Sequence, residues 1–420
     1  MCFVFVFPLA PDGSRLMTNA PVARCINEVL PEEVFGVIFE EHSKLEWRAP
    51  VIDAQVCHQW RQTILHSPRV WTYLEFPRSC KPTPLNLHQW LDRSGSVPFH
   101  IQLMDWIRGA EEVLDPHCKR IKSIESSGSS LSFLENRSFP ILRSLTIKAG
   151  YNNPPVIDWS ACCVMPELRS FRAIDISAYA LPSNTNIFPA LRVLALHRTG
   201  SCYSIIRNTS HSLTSLMLDF ISFKSTSGSL EFPSLRFLSL FEVTNIKHQM
   251  NVPALTVYHE SGRPEEESFS MSLPSLIEYG IRRVKEEPFL DATKLHECYP
   301  NISRLSVRAH PSDVKLFLHS LGRQPTALPM LRILAVASQC SWMDDFSEED
   351  KHSMRNDVFM RNMAGSNMEL SFDGRVRIPI YIAYVRVYIN EGERKLTSPL
   401  RSQIIPLDDL LFVLSLWLPC

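Results

Sequence analysis

The sequence predicts an α/β protein: a small helical domain, then an irregular solenoid of short strands stacked into a curved parallel sheet. Three observations carry this reading. Between residues 27 and 76 apolar residues recur at helical spacing. From Phe139 onward the pattern apolar-Pro-x-Leu-x-x-Leu-x-Leu returns at steps of 20 to 29 residues. Prolines outnumber glycines 30 to 14, as expected where a proline opens most of the repeating units.

In the helical stretch, Leu30-Pro31-Glu32-Glu33 opens a helix, with Pro31 at or near its first position, where a missing N–H costs nothing. Glu32 and Glu33 follow in the first turn, which the helix dipole favours. Val34 and Ile38 then share one face, with Phe35 and Phe39 beside them. A second helix opens at Ala49-Pro50, and Ile52, Val56 and Trp60 recur along it every four residues, with Cys57 and Ile64 extending the stripe. Ser67-Pro68 ends it, and Trp71 supplies a last aromatic anchor. A unit of about fifty residues rarely buries this many large side chains alone, so a partner is expected.

At these residues the chain resembles an F-box. The resemblance rests on Leu30-Pro31 with Ile38-Phe39, on Val56-Cys57-His58-Gln59-Trp60-Arg61, and on Ser67-Pro68-Arg69-Val70-Trp71. The later run Trp90-Leu91-Asp92-Arg93-Ser94-Gly95 with Pro98 resembles the stretch that follows the F-box in many fungal F-box proteins. The resemblance implies docking onto a Skp-type adaptor, and through it onto a cullin–RING ubiquitin ligase. It implies an adaptor-facing surface drawn from Leu30, Pro31, Val34, Ile38, Phe39, Val56, Cys57, Trp60 and Trp71.

The expected domain order is a poorly ordered leader over 1–24, the F-box-like domain over 25–76, and a connector with an entry helix over 77–96. A repeat region follows over 97–340, and a C-terminal helix, strands and cap over 341–420. The connector is short and holds two prolines, Pro82 and Pro84. Just after it, Leu87, Trp90 and Leu91 stand at helical spacing, close enough to form one core with Trp71, Leu74 and Phe76. A turn at Ser94-Gly95-Ser96 leads into a strand over 97–103.

Nine segments carry the repeat, beginning at Phe139, Met165, Phe188, His211, Phe232, Val252, Leu273, Tyr299 and Leu328. Their spacing is that of the leucine-rich repeat. Each Leu-x-Leu reads as one short strand with alternate side chains turned inward, which makes Leu194, Leu216 and Leu238 equivalent. The proline sets the entry into each strand where no ladder N–H is needed. The array is irregular: the place where this family often carries Asn or Cys is Gly150, Thr199, Ile221, Val243, Val284, His310 or Gln339. Past Gln339 the pattern stops. Ser347 there could cap a helix running to about Met363, and residues 377–389 have strand composition.

Composition excludes several functions. The formal net charge is −1 and the pI about 6.9, so nothing argues for nucleic acid. Eleven scattered cysteines without a CxxC pair fit reduced thiols, and a cytoplasmic or nuclear protein, better than disulfides or zinc. The apolar ends are too short to span a bilayer, so no membrane role is expected. No phosphate-binding loop, dinucleotide fingerprint, nucleophile elbow or HExxH helix occurs. The expected protein is a non-enzyme without cofactor or metal: the substrate-recognition subunit of a Skp–cullin–F-box ubiquitin ligase, with an unknown protein as substrate of the repeat region. The alternative is a leucine-rich-repeat interaction scaffold without a role in ubiquitination.

Overall fold

The computed structural model describes residues 27, 30–76, 84–103, 109–127, 133–148, 162, 165–176, 187–200, 202–223, 228–244, 246–261, 273–282, 292–324, 326–338, 347–363 and 368–371. The expected leader, the connector over 77–83, the strands over 377–389 and the C-terminal cap lie outside them. The chain divides into two compact units between Val70 and Trp71.

The first unit holds α1 (Glu32–Leu45), α2 (Ala49–Asp53) and α3 (His58–Leu65). Pro31 occupies the N-cap in extended geometry rather than the first helical position. The single helix expected through Ile52, Val56 and Trp60 is instead two. Residues 54–56 turn, and Cys57 restarts the chain as N-cap of α3, its Sγ accepting the Trp60 backbone N–H at 3.4 Å. A four-residue period carries no common face across such a break.

The second unit holds β1 (Tyr73–Phe76), α4 (Pro84–Arg93), β2 (Phe99–Leu103), α5 (Ala110–Leu114), β3 (Ile121–Ser127), β4 (Ser144–Lys148), β5 (Ser170–Ile174) and β6 (Val193–His197). Next come α6 (Tyr203–Thr209), β7 (Ser215–Asp219), β8 (Leu230–Glu231), β9 (Phe237–Phe241), β10 (Met250–Asn251), β11 (Val257–Ser261) and β12 (Glu278–Arg282). Then follow α7 (Ala292–Cys298), β13 (Arg304–Ala309), α8 (Pro311–Arg323), β14 (Ile333–Ser338), α9 (Glu348–Met363) and β15 (Glu369–Ser371). Thirteen strands form one parallel sheet in chain order, and β8 pairs with β10 apart from it.

The motif explains the geometry of each unit. In Phe188-Pro189-Ala190-Leu191 the Leu191 N–H donates to the Phe188 carbonyl at 3.3 Å, and the same turn closes at Leu142, Leu168, Leu235, Leu255, Leu276 and Leu331. The proline sits second in this four-residue turn, where its fixed φ is already correct. The strand follows at once, and in the unit of β6 four apolar side chains turn inward: Phe188 and Leu191 before the strand and Leu194 and Leu196 in it, all nearly or fully buried. Leu194, Leu216 and Leu238 are register partners, as their place in the motif predicts. Their row continues through Tyr258, Tyr279, Leu305 and Leu334.

The sheet begins before the motif does. Leu74, Ile101 and Ile124 extend the same row through β1, β2 and β3 into Leu145. The expected strand over 97–103 is β2. Trp71 packs edge-on against Trp90 at 4.9 Å between ring centroids, and Leu74, Leu87 and Leu91 are buried with them. Trp71 and β1 therefore belong to the sheet unit, so the expected boundary at residue 76 moves to 70. At the far end the sheet passes the expected limit of 340, since β15 pairs with β14. The capping expectation holds at α9: Ser347 Oγ accepts the Asp350 N–H at 3.0 Å.

One inward strand position carries a charged side chain. Glu260 stands in register between Leu240 and Ile281, its side chain 1% exposed. Lys247 and Tyr279 bond its carboxylate, and Tyr258 Oη donates to it at 2.7 Å. Burial, and then the Glu260 charge, push both tyrosine hydroxyls well above their ordinary range.

Candidate functional site

Two surfaces merit a functional reading: the outside of the helical unit and the open face of the sheet. In the helical unit, Phe35, Phe39 and Trp60 form an aromatic cluster with centroids 5.0 to 5.9 Å apart. These distances are typical of favourable ring pairs. Trp60 Nε1 donates to Asn27 Oδ1 at 2.8 Å, and His42 Nδ1 meets Asp53 Oδ2 at 2.9 Å, joining α1 to α2. Around this core, Val34, Ile38, Ile52 and Val56 point outward, the last 55% exposed.

The nine residues that the resemblance implied separate into groups. Pro31, Val34, Ile38 and Val56 are exposed, while Leu30, Cys57 and Trp60 are half-buried. Phe39 and Trp71 are each only 1% exposed and are taken out of the candidate surface. Phe39 is consumed by the aromatic cluster, and Trp71 by Trp90 and by the Arg93 guanidinium 4.4 Å from its ring centroid. Val37, Leu45, Val51 and Leu65 are exposed apolar residues that sequence reasoning did not single out. Val37 lies three residues after Val34 and beside Ile38, a helical spacing that could have revealed it.

On the sheet, strand alternation sends the intervening side chains to the open face. At the C-terminal ends of four strands the chain leaves through a left-handed residue that is not glycine: Asp175, Arg198, Phe220 and Glu242, with φ of 45° to 56°. The backbone N–H groups of the first three each donate to the last carbonyl of the next strand, at 2.8 to 2.9 Å. Asp tolerates this geometry, but nothing in the types of Arg198, Phe220 and Glu242 signals it; their position after the strand imposes it. Beside them His197 Nδ1 meets Asp219 Oδ2 at 2.6 Å, and Phe220 stands edge-on to His197 and to Phe241. Burial raises the carboxyl pKa of Asp175 and of Glu242, and the nearby Asp219 adds to both.

Further along, His259 Nε2 lies 3.4 Å from Glu278 Oε1, and Arg304 bonds the other oxygen of Glu278 at 3.3 Å. Burial pushes the Glu278 carboxyl up, but His259 and Arg304 outweigh it and hold it below its ordinary range. Among the described cysteines, burial pushes the Cys118 thiol up to about 11 and the Cys202 thiol to about 12, which leaves both almost wholly protonated at neutral pH. Among the described residues no three His, Cys, Asp or Glu side chains gather as a metal site would need, and no helix is long and apolar enough to cross a membrane.

No protein-family model and no curated protein matches this chain.

Proposed function

We propose that this chain is an F-box-type substrate-recognition subunit of a Skp–cullin–F-box ubiquitin ligase. Its helical unit holds a Skp-type adaptor, and its sheet unit, a leucine-rich-repeat solenoid, holds a protein substrate. The chain supplies binding and positioning, and the transfer chemistry resides in other subunits. The observation that supports this reading is that Val34, Ile38, Ile52 and Val56 are all exposed on a unit whose own core is already filled by Phe35, Phe39 and Trp60. Large apolar side chains left in water in such number on so small a unit point to a binding surface. The leucine-rich-repeat reading rests on the 20-to-29-residue period and on one parallel strand for each motif.

The test is co-purification of the full chain with a Skp-type adaptor. Ile38→Asp with Val56→Asp places two charges on exposed positions and is expected to abolish capture while the thermal melt of the sheet stays unchanged. Capture that survives this pair would reject the assignment. Adaptor capture without any change in the half-life of bound proteins would favour the scaffold alternative.

A further inference from the structure

We propose that the sheet unit carries a binding strip for an acidic peptide segment, along the edge where its strands begin, built on Lys122, Arg143, Arg169 and Arg192. This deepens and rests on the reading of the sheet unit as a protein-binding surface. It asks nothing of the helical unit, so the strip and the adaptor assignment can fail separately. Arg143, Arg169 and Arg192 each stand just before a strand (β4, β5 and β6), and Lys122 is the second residue of β3. A lateral run of backbone hydrogen bonds holds the four side by side. The Arg143 N–H donates to the Lys122 carbonyl at 2.8 Å, and the N–H groups of Arg169 and Arg192 donate to Arg143 and Arg169, both at 2.9 Å. The run continues through Thr214 to Arg236, at 2.8 and 2.9 Å. Neighbouring strands lie about 4.8 Å apart, so four cations stand within about 14 Å, with a fifth about 10 Å beyond.

Arg143, Arg169, Arg192 and Arg236 are exposed, and Lys122 is half-buried. Arg169 has one loose acidic partner, Glu167 at 3.9 Å, with both side chains nearly half exposed. Among the described residues, Lys122, Arg143, Arg192 and Arg236 have no carboxylate within ion-pair distance. The fold does not ask for these charges. At the same place other units carry Thr214, Thr256, Ile277 and Ser303, and their strands pair in the same way. Like charges side by side across strands repel, a cost that an anion lying along the row removes. The neighbouring row selects the kind of anion. Ser123, Ser144, Ser170, Val193 and Ser215 are register partners one residue further along. They offer hydroxyls to a peptide's carboxylates and backbone, and no ring on which a nucleic-acid base could stack. The net charge of −1 likewise supplies no long-range pull on nucleic acid. An extended peptide advances about 3.3 Å per residue, so about five residues span the four cations.

The experiment titrates the full chain into fluorescein-labelled octaglutamate, octaglutamine and octathymidylate, read by anisotropy at about 0.05 M salt. Saturable binding of octaglutamate is expected, with octathymidylate about fivefold weaker or more and octaglutamine without measurable binding. Octaglutamate affinity should fall steeply toward about 0.5 M salt as the charges are screened. Arg143→Thr with Arg192→Thr uses a residue type that the fold already accepts at this place, and should weaken binding about tenfold. Arg332→Thr, at the same motif position but between Ser303 and Glu369, should leave it unchanged. If the double variant does not melt cooperatively, Arg192→Thr alone replaces it, with an expected loss of about threefold. The proposal is overturned by absence of saturable octaglutamate binding, by octathymidylate binding as tightly, which would assign the strip to nucleic acid, or by affinity indifferent to the ladder arginines.

Discussion

The helical unit and the repeating motif of the sheet unit treat apolar side chains differently. In the sheet unit the motif residues are enclosed: Leu142, Leu168, Leu191, Leu213 and Leu235 are all fully buried. In the helical unit Val34, Val37, Ile38, Leu45, Val51, Ile52, Val56 and Leu65 are 40% exposed or more. The difference is one of stacking. A strand paired on both sides covers its neighbours' inward rows, whereas three short helices have room for one aromatic cluster and little else. The inward rows of the sheet unit are thus structural; its exposed apolar residues, Leu85, Ile277, Leu316, Met330, Phe359 and Met363, lie outside those rows, whereas in the helical unit eight fall within three short helices and their turns.

The sharpest way to break this comparison is Lys247→Met. It strands the Glu260 carboxylate in the interior of the sheet unit without its cation, and should cost about 3–5 kcal/mol by denaturant titration. Adding Glu260→Leu should recover much of the loss. An unchanged midpoint for the single variant would mean that water reaches Glu260 and that the sheet interior is not sealed. Next in size is Leu216→Ala, which opens a cavity at a fully buried position and should cost about 2–5 kcal/mol. The matched change Ile38→Ala in the helical unit should alter stability by no more than about 0.5 kcal/mol. Similar losses at the two sites would erase the distinction.

Within the helical unit, Cys57→Ala removes the N-cap acceptor of α3 and should cost about 0.5 kcal/mol, the low end for caps because sulfur accepts weakly. The smallest effect is one of pH. Because the Glu278 carboxyl is held low in the folded chain, its contribution is present above the ordinary carboxylate range and is lost as pH falls through its folded value. Melting curves taken from neutral pH down to about pH 3 should show the native chain losing stability more steeply than Glu278→Gln. Parallel curves would remove Glu278 from the account of the open face.

Much of the sheet unit was legible because its signal is local. A proline second in a four-residue turn, followed by alternate leucines, fixes where each strand starts and which side faces in, and the order of repeats fixes the order of strands. The same reading missed β1 and β3, which have no proline motif and are strands only because β2 and β4 offer an edge to pair with. In the helical unit, residue spacing located the helices and the aromatic core but not the break at residues 54–56, since apolar periodicity continues through a turn as readily as through a helix.

What the sequence determined by itself is the alternation along each strand, the turn at each proline and the surplus of apolar residues before residue 76. What only the tertiary structure decided is the use of each large side chain. Phe39 and Trp71 look as available as Ile38 and Val56 when read along the chain. The first two are enclosed by Trp60 and Trp90, contacts made between residues about twenty positions apart. Burial depends on which distant rings arrive beside a residue, and the pattern of its own neighbours along the chain does not carry that information.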